Sequence, residues 1–298
     1  MADRALTIQS HGLHRVHMSS NRVIYAALLG NLAVALTKFI AAYLTRSSAM
    51  LSEGIHSLVD TGNQLLLLYG LRRAARPADQ SHPLGYGREV YFWSFIVAVM
   101  IFALGGGLSI YEGISHMRDP EPIESAVVGY VVLALALAFE GASWWVALKE
   151  FRRAKGKLGY FRAVRQSKDP PSFMILFEDS AALLGLFIAL CGTIASDRFD
   201  MPIADGLASV AIGLVLTLTA AILARESKGL LIGERARPEI AASALRIASQ
   251  YPGVASANGI MTVHLAPREI VAALSLSFDP HLTAPSIETA VAAIETRI

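Results

Sequence analysis

Long apolar segments of about 20 residues follow one another through the first three quarters of the chain. A helix needs about 20 predominantly apolar residues to cross a bilayer. We therefore predict an α-helical membrane protein with six transmembrane helices in residues 22–226. The six predicted spans are 23–44, 50–71, 90–111, 126–148, 173–195 and 203–224.

The residues on either side of these spans have a different pattern. Residues 1–21 lack an apolar core and predict a short N-terminal arm. In residues 227–298, a helix is expected at 238–250 and strands at 260–265 and 274–278, where Leu274, Leu276 and Phe278 alternate with serines. Since a closing helical stripe follows at 287–298, we predict a small C-terminal α+β domain.

Composition supports the membrane class. Hydrophobic residues make up 54% of the 298 residues, charged residues only 17%, and the mean hydropathy is +0.47. These values exclude an ordinary soluble domain, and no nucleic-acid partner is expected. The single cysteine, Cys191, excludes a disulfide within the chain.

The lysines and arginines are distributed unevenly among the predicted loops. Cytoplasmic loops carry an excess of these residues, so the strongly basic loops after the second and fourth spans are placed inside. Both termini then lie in the cytoplasm, and an inner membrane of the cell is the simplest location. The two basic loops contain Arg72, Arg73, Arg76, Arg88, Lys149, Arg152, Arg153, Lys155, Lys157, Arg162, Arg165 and Lys168. The acids placed outside are Asp119, Glu121, Glu124, Asp197 and Asp200.

The second predicted span carries a stripe of polar side chains. Glu53, His56, Asp60 and Asn63 fall within about an 80° arc of one helix. A charged side chain at the bilayer centre costs about 2.5 to 3.5 kcal/mol on insertion scales, so such a residue indicates a functional site. This stripe must face protein or water rather than lipid.

Two adjacent acids, Glu178 and Asp179, lie in the fifth predicted span. His56 and Asp60 are one helical turn apart and can bind one cation together, and Asp179 from a second helix would be a third ligand with Glu178 nearby. We expect Asp179 to be the inward one of the two acids. A buried polar knot that holds the helices together is the alternative, but it needs Ser, Thr or Asn rather than several acids.

The ligand types narrow the choice of metal. Imidazole with carboxylate suits Zn²⁺ and also accepts Mn²⁺, Fe²⁺, Co²⁺ or Ni²⁺. Because metals bind deprotonated ligands, metal and protons compete, and alternating exposure of the site would give metal–proton exchange. A membrane metal sensor without flux and a channel remain alternatives. An intramembrane metalloprotease is disfavoured, since no HExxH pair is present.

Several motifs together resemble the cation diffusion facilitator family of divalent metal transporters, and in particular its zinc transporter nine branch. The resemblance covers almost the whole chain. The motifs are SEGIHSLVD at 52–60, HPLGYGR at 82–88, SKDP at 167–170, EDSAA at 178–182 and DGLAS at 205–209, with Lys38 in the first span.

The resemblance implies a homodimeric transporter that exports Zn²⁺ or a similar ion from the cytoplasm in exchange for protons. Members of the family take two ligands from the second span and two from the fifth, spaced four residues apart. Here Ile175 stands where the fourth ligand would be, and Glu178, Glu53, Asn63 or water would complete the shell.

The resemblance also implies a second metal site in the loop after the second span, and a ferredoxin-like C-terminal domain. Asp79 and His82 match part of the loop site, but Tyr86 replaces a histidine. A turn with a solvated histidine is an equally good interpretation of this loop. The family's C-terminal domain normally ends with one more strand, which this sequence does not reach before Ile298, so the sequence is expected to be either truncated or a compact variant of the domain. Arg88 is a candidate partner for Glu234 below the membrane. For His264, Asp279 and His281 in the tail, solvated side chains are favoured over a regulatory metal site.

Overall fold

The structure is a computed structural model that describes residues 17–120, 125–156, 159–160, 163–164 and 167–298. Part of the predicted arm, residues 1–16, lies outside these ranges. The same is true of the predicted outward acids Glu121 and Glu124 and of the basic loop residues Lys157, Arg162 and Arg165.

Long helices make up the described part of the chain up to residue 232. The third is interrupted by a π-helical turn, so that α3, the π turn and α4 form one continuous helical segment. The helices are α1 (His17–Thr45), α2 (Ser48–Ala74), α3 (Glu89–Met100), the π turn (Ile101–Gly107), α4 (Leu108–Arg118), α5 (Ala126–Lys155), α6 (Pro170–Phe199) and α7 (Ile203–Ile232).

Four helical segments in the described ranges are long and apolar enough to cross a membrane: Glu89–Arg118, Ala126–Arg153, Phe173–Phe199 and Ile203–Ile232. These correspond to the third to sixth predicted spans. In α1, the apolar segment Asn31–Thr45 is shorter than a full span. Helix α2 is not among the four segments, and it carries the polar stripe. The molecule is therefore a helical membrane protein, and the first two spans stay predictions.

Helix α2 lies inside the bundle. It packs against α1, α3, α4, α6 and α7, whereas α5 packs mainly against α6 and α1. Apolar side chains that point away from the bundle are exposed, and large ones on α5 include Val127 and Phe139. This arrangement is typical of a bundle surrounded by lipid, and it buries the polar stripe of α2 in protein.

The π turn and α4 approach α7 closely where glycines face each other. Gly106 and Gly113 on one side and Gly206 and Gly213 on the other are each spaced by seven residues. A Cβ atom on Gly113 would lie 2.6 Å from the Gly206 carbonyl oxygen and 2.7 Å from the Val210 nitrogen. Small residues at such crossings let membrane helices pack backbone to backbone.

Gly113→Ala is therefore expected to destabilise the protein by about 1 to 3 kcal/mol, because the added methyl group meets backbone that cannot move aside. Gly141→Ala on α5 is the matched control, since nothing lies within 4 Å of its Cβ position. In a helix interior that change is expected to stabilise by about 0.5 to 1 kcal/mol. Thermal unfolding in detergent compares the two, and equal effects would contradict the close approach.

The C-terminal segment forms a small α+β unit, as the alternation predicts. It consists of α8 (Pro238–Ser249), β1 (Val254–Ala266), β2 (Glu269–Phe278) and α9 (Ala284–Arg297). The two strands pair antiparallel, from Ala266 opposite Glu269 to Val254 opposite Phe278, with three irregularities in the register. Among the described residues they make a two-stranded sheet.

The C-terminal unit joins the bundle at the end that carries the basic loops. Lys168 forms an ion pair with Glu234, and the His264 backbone nitrogen donates to the Glu234 carbonyl oxygen at 2.9 Å. Glu234 thus pairs with Lys168 rather than with Arg88, the partner that the sequence suggested. Gly87 before α3 lies against Leu265 and Ala266 of β1.

Candidate functional site

The polar residues of α2 and α6 meet at a small cavity that α5 also lines. Its volume is about 30 Å³, enough to hold a water molecule or a single ion. Three of the four predicted metal ligands, Asp60, Glu178 and Asp179, line it. The remaining lining residues are Asn31, Ser57, Gln64, Glu140, Ser143 and Ile175.

The fourth predicted ligand, His56, lies directly behind Asp60. Its Nε2 atom is 3.5 Å from Asp60 Oδ2 across one turn of α2. His56 is 1% exposed, and neither of its ring nitrogens has a hydrogen-bond partner among the described residues. Asp60 Oδ1 is buried and unpartnered in the same way. Both side chains therefore keep lone pairs that no protein donor occupies.

Glu178 and Asp179 diverge, as neighbours on a helix must. Glu178 is 4% exposed and accepts a hydrogen bond from Asn63 Nδ2 of α2 at 3.2 Å. Asp179 turns to α5, where Ser143 Oγ donates to it at 3.0 Å. Glu178 is thus the more deeply buried acid, the reverse of the expected order, although both side chains reach the cavity.

Ile175 lines the cavity one helical turn before Asp179. The position that the family resemblance assigns to a fourth ligand is therefore at the site, and it is occupied by a side chain that cannot coordinate a metal. Glu140 of α5 lines the same cavity and supplies a further carboxylate. The sequence alone gives no way to place α5 against α2, so it does not show that Glu140 reaches this cavity.

Glu53 is engaged elsewhere. Lys38 Nζ lies 3.2 Å from Glu53 Oε2 and donates to Ser57 Oγ at 2.7 Å, and Lys38 and Glu53 are both fully buried. The ion pair with Glu53 therefore neutralises Lys38, the buried cation of α1. Glu53 does not line the cavity, and its pairing with Lys38 disfavours it as the missing ligand.

We expect Lys38→Met to destabilise the protein by about 3 to 5 kcal/mol, because it leaves the Glu53 charge buried without a partner. Replacing both members, Lys38→Met with Glu53→Leu, is expected to recover most of the loss. Denaturation in detergent measures both variants. A double variant as unstable as the single one would show that packing of the Lys38 stem, not its charge, is what matters.

The charges around the cavity are unbalanced. Asp60, Glu140, Glu178 and Asp179 supply four carboxylates, whereas Lys38, 3.6 Å from Glu140, is already paired with Glu53. Carboxylates this close repel one another unless protons or a cation neutralise them. Among the described residues, no three His, Cys, Asp or Glu side chains are near enough to form a ready-made metal-binding group. Side chains would have to turn to enclose an ion.

The loop after α2 is closed by its own hydrogen bonds. Asp79 accepts from the Tyr86 hydroxyl at 2.7 Å and from the backbone nitrogens of Ser81 and His82. The Tyr86 hydrogen bond and then the His82 backbone hydrogen bond lower the pKa of Asp79 below its usual value. Both carboxylate oxygens thus have local partners, which favours the interpretation of this segment as a turn.

The three candidate residues of the tail lie at opposite ends of the hairpin. His264 is next to the turn, whereas Asp279 and His281 follow the far end of β2. At about 3.3 Å per residue, some nine residues put Asp279 roughly 30 Å from His264. These residues do not form one metal site.

Asp205, the first residue of the DGLAS motif, fixes the turn between α1 and α2. Its carboxylate accepts from Ser47 Oγ at 2.6 Å and from the backbone nitrogens of Ser48 and Ala49 at 2.5 and 3.2 Å. These bonds satisfy orphan donors at the start of α2. Asp205 therefore holds the end of α2 opposite the basic loops, whereas the sequence analysis identified it only as part of a family motif.

Comparison with known proteins identifies the helical part of the chain. A family model described as the cation efflux transmembrane domain matches residues 24–232. The human proton-coupled zinc antiporter SLC30A9, mitochondrial, is 34% identical over 261 residues, which are 87% of this chain and 46% of the relative. Metal tolerance protein C4 of Arabidopsis thaliana is 33% identical over 216 residues, or 72% of this chain and 47% of the relative.

The cation-efflux pump FieF of Klebsiella pneumoniae is 26% identical over 252 residues, which are 84% of this chain and 79% of that protein. The chain thus spans about half the length of the first two relatives and most of the length of the third.

Proposed function

The chain belongs to the cation efflux family, also called the cation diffusion facilitators, and we propose that it exports divalent metal ions from the cytoplasm in exchange for protons. Zn²⁺ is the proposed substrate. The transport site consists of His56, Asp60, Glu178 and Asp179, with Glu140 as an additional carboxylate at the same cavity.

One observation carries this proposal. Four carboxylates line a cavity of about 30 Å³ inside a membrane bundle, and the nearest cation is already paired with Glu53. Protons neutralise them when no metal is bound, and a divalent ion replaces the protons when it binds. Binding of the ion releases protons from the carboxylates. If the cavity opens to one side of the membrane and then to the other, the protein therefore exchanges metal for protons.

Zn²⁺ is favoured because His56 offers an imidazole nitrogen next to the Asp60 carboxylate. The relative SLC30A9 is itself named a zinc antiporter. Ile175 in place of a fourth ligand leaves a site with one nitrogen and several oxygens, a set that also suits Mn²⁺ and Fe²⁺. These ions, with Co²⁺ and Ni²⁺, are the second candidates.

We further propose that α1 and α2 cross the membrane, which makes six spans. Their 29 and 27 residues correspond to about 40 Å of helix each, enough to cross the hydrocarbon core. Helix α2 has lower hydropathy because it carries the transport site. With six spans the basic loops and both termini lie in the cytoplasm, and an inner membrane of the cell or of the mitochondrion is the proposed location.

A homodimer with ferredoxin-like C-terminal domains is the proposed assembly. The hairpin and its two helices are the part of that fold present in the described residues. Large apolar side chains of this unit are exposed, including Met261 on β1 and Val291 on α9. A second copy of the domain is a suitable partner for such a surface.

Proteoliposomes that enclose a zinc dye and a pH dye test the proposal. With an acidic interior and Zn²⁺ added outside, an exchanger accumulates zinc while the interior pH rises. Zinc entry without a pH change would indicate a channel, and zinc binding without entry would indicate a sensor. Repeating the assay with Mn²⁺, Fe²⁺, Co²⁺ and Ni²⁺ determines the preferred ion.

A further inference from the structure

A second, larger cavity lies where the membrane helices meet the C-terminal unit. Its volume is about 360 Å³, within the range of about 300 to 1,000 Å³ that is usual for small-molecule sites. Side chains from α5, from the segment before α6, from α8 and from the β1–β2 hairpin enclose it. The residues that the following argument uses are Lys155, Lys168, Asp169, Arg237, His264 and Arg268.

The lining is strongly basic. Lys155, Lys168, Arg237 and Arg268 face the cavity, while Asp169 is the acid among its lining residues. Lys168 is neutralised by Glu234, so the attraction of an anion rests on the two arginines. Neither Arg237 nor Arg268 forms an ion pair within the described part of the chain. Two arginines that converge on one cavity from α8 and from the hairpin are suited to an anion with several acceptor oxygens.

His264 adds a hydrogen-bond acceptor to this basic lining. It is 3% exposed, and its Nδ1 atom lies 3.3 Å from the Ala266 carbonyl oxygen. A carbonyl only accepts, so Nδ1 carries the proton and Nε2 keeps a lone pair in the neutral ring. Burial lowers the pKa of His264 below its usual value, which favours this neutral form. Nε2 has no hydrogen-bond partner among the described residues.

We propose that this cavity binds a phosphate monoester group, carried by a soluble molecule or by a lipid headgroup. The arginines and lysines supply donors to the phosphate oxygens. The protonated oxygen of hydrogen phosphate, or of the monoanion of a monoester, whose second pKa is about 6, donates to His264 Nε2. Basic pockets at the membrane surface are known to hold phosphate headgroups. A ligand here contacts both the bundle and the C-terminal unit, so it would stabilise their attachment.

The same charges argue against a metal at His264. A divalent cation at this imidazole would lie among several cationic side chains with one lining carboxylate to balance them. The electrostatic cost disfavours metal binding at any ordinary concentration. The charges of the lining residues therefore favour a phosphate group over a metal ion.

Calorimetric titration of the full chain with inorganic phosphate, in uncharged detergent and without added lipid, tests the site. Phosphate is expected to bind, and sulfate, which has no proton to donate at pH 7, is expected to bind at least about tenfold more weakly. The double change Arg237→Gln/Arg268→Gln is expected to weaken phosphate binding by at least about tenfold. The matched control, Arg153→Gln/Arg246→Gln, removes two exposed arginines outside the cavity and is expected to bind as the wild type does.

The source of the ligand is distinguished in nanodiscs of phosphatidylcholine with or without phosphatidic acid. Displacement of phosphate by phosphatidic acid identifies a lipid headgroup, whereas unchanged phosphate binding identifies a soluble monoester. The proposal is overturned if inorganic phosphate does not bind, if sulfate binds equally well, or if both double variants bind alike. None of these measurements depends on metal transport.

Discussion

Asp60→Asn is expected to abolish metal flux while the bundle stays folded. Asparagine keeps the shape of the side chain, so packing around α2 is preserved, but the charge that binds the cation is lost. Changes to residues that only support metal ligands typically cost about 10- to 100-fold. Loss of a ligand itself should therefore lower the initial rate of zinc accumulation in proteoliposomes by at least about 100-fold.

Asp200→Asn is the matched control for this change. Asp200 is exposed at the end of α6, far along the chain from the cavity residues, and has a left-handed backbone with φ of 52°. Asparagine tolerates that conformation well, so flux should equal that of the wild type. An Asp60→Asn protein that transports zinc at the wild-type rate would remove Asp60 from the transport site. Equal losses in both variants would point to faulty insertion.

Helical periodicity predicted the buried face of α2 well. Glu53, His56 and Asn63 are almost fully buried, as a stripe that avoids lipid requires. The partners across helices were not predictable in the same way, because they depend on how helices rotate against each other. The sequence could not tell that Glu53 pairs with Lys38 or that Glu140 reaches the cavity.

The sequence also predicted the helices and strands only in part. Hydropathy placed the third predicted span correctly, but it gave no sign of the π turn at Ile101–Gly107, which changes the hydrogen bonding and not the polarity. The first strand of the tail runs from Val254 to Ala266, longer than the predicted 260–265. Register shifts interrupt its alternation, so only part of the strand showed the period of two.

Ile175→Asp is expected to tighten zinc binding by about tenfold, equivalent to about 1.4 kcal/mol. Ile175 lines the cavity one turn before Asp179, so the introduced carboxylate would restore the four-residue spacing that the family resemblance implies. With His56, Asp60 and Asp179 it would give four ligands, the number that Zn²⁺ prefers in tetrahedral sites. The ratio of Zn²⁺ to Mn²⁺ affinity should therefore rise.

The metal-free form of this variant should behave in the opposite way. A fifth carboxylate at the cavity adds repulsion that protons or a metal must neutralise, so the melting temperature without metal should fall. Saturating Zn²⁺ should raise the melting temperature of the variant by more than that of the wild type, because tighter binding stabilises the folded state more. Ile175→Asn is the matched control, since it adds a polar group of similar size without charge. If Ile175→Asn changes zinc affinity as much as Ile175→Asp does, the side chain acts on the cavity by size or polarity, and position 175 is not the missing ligand.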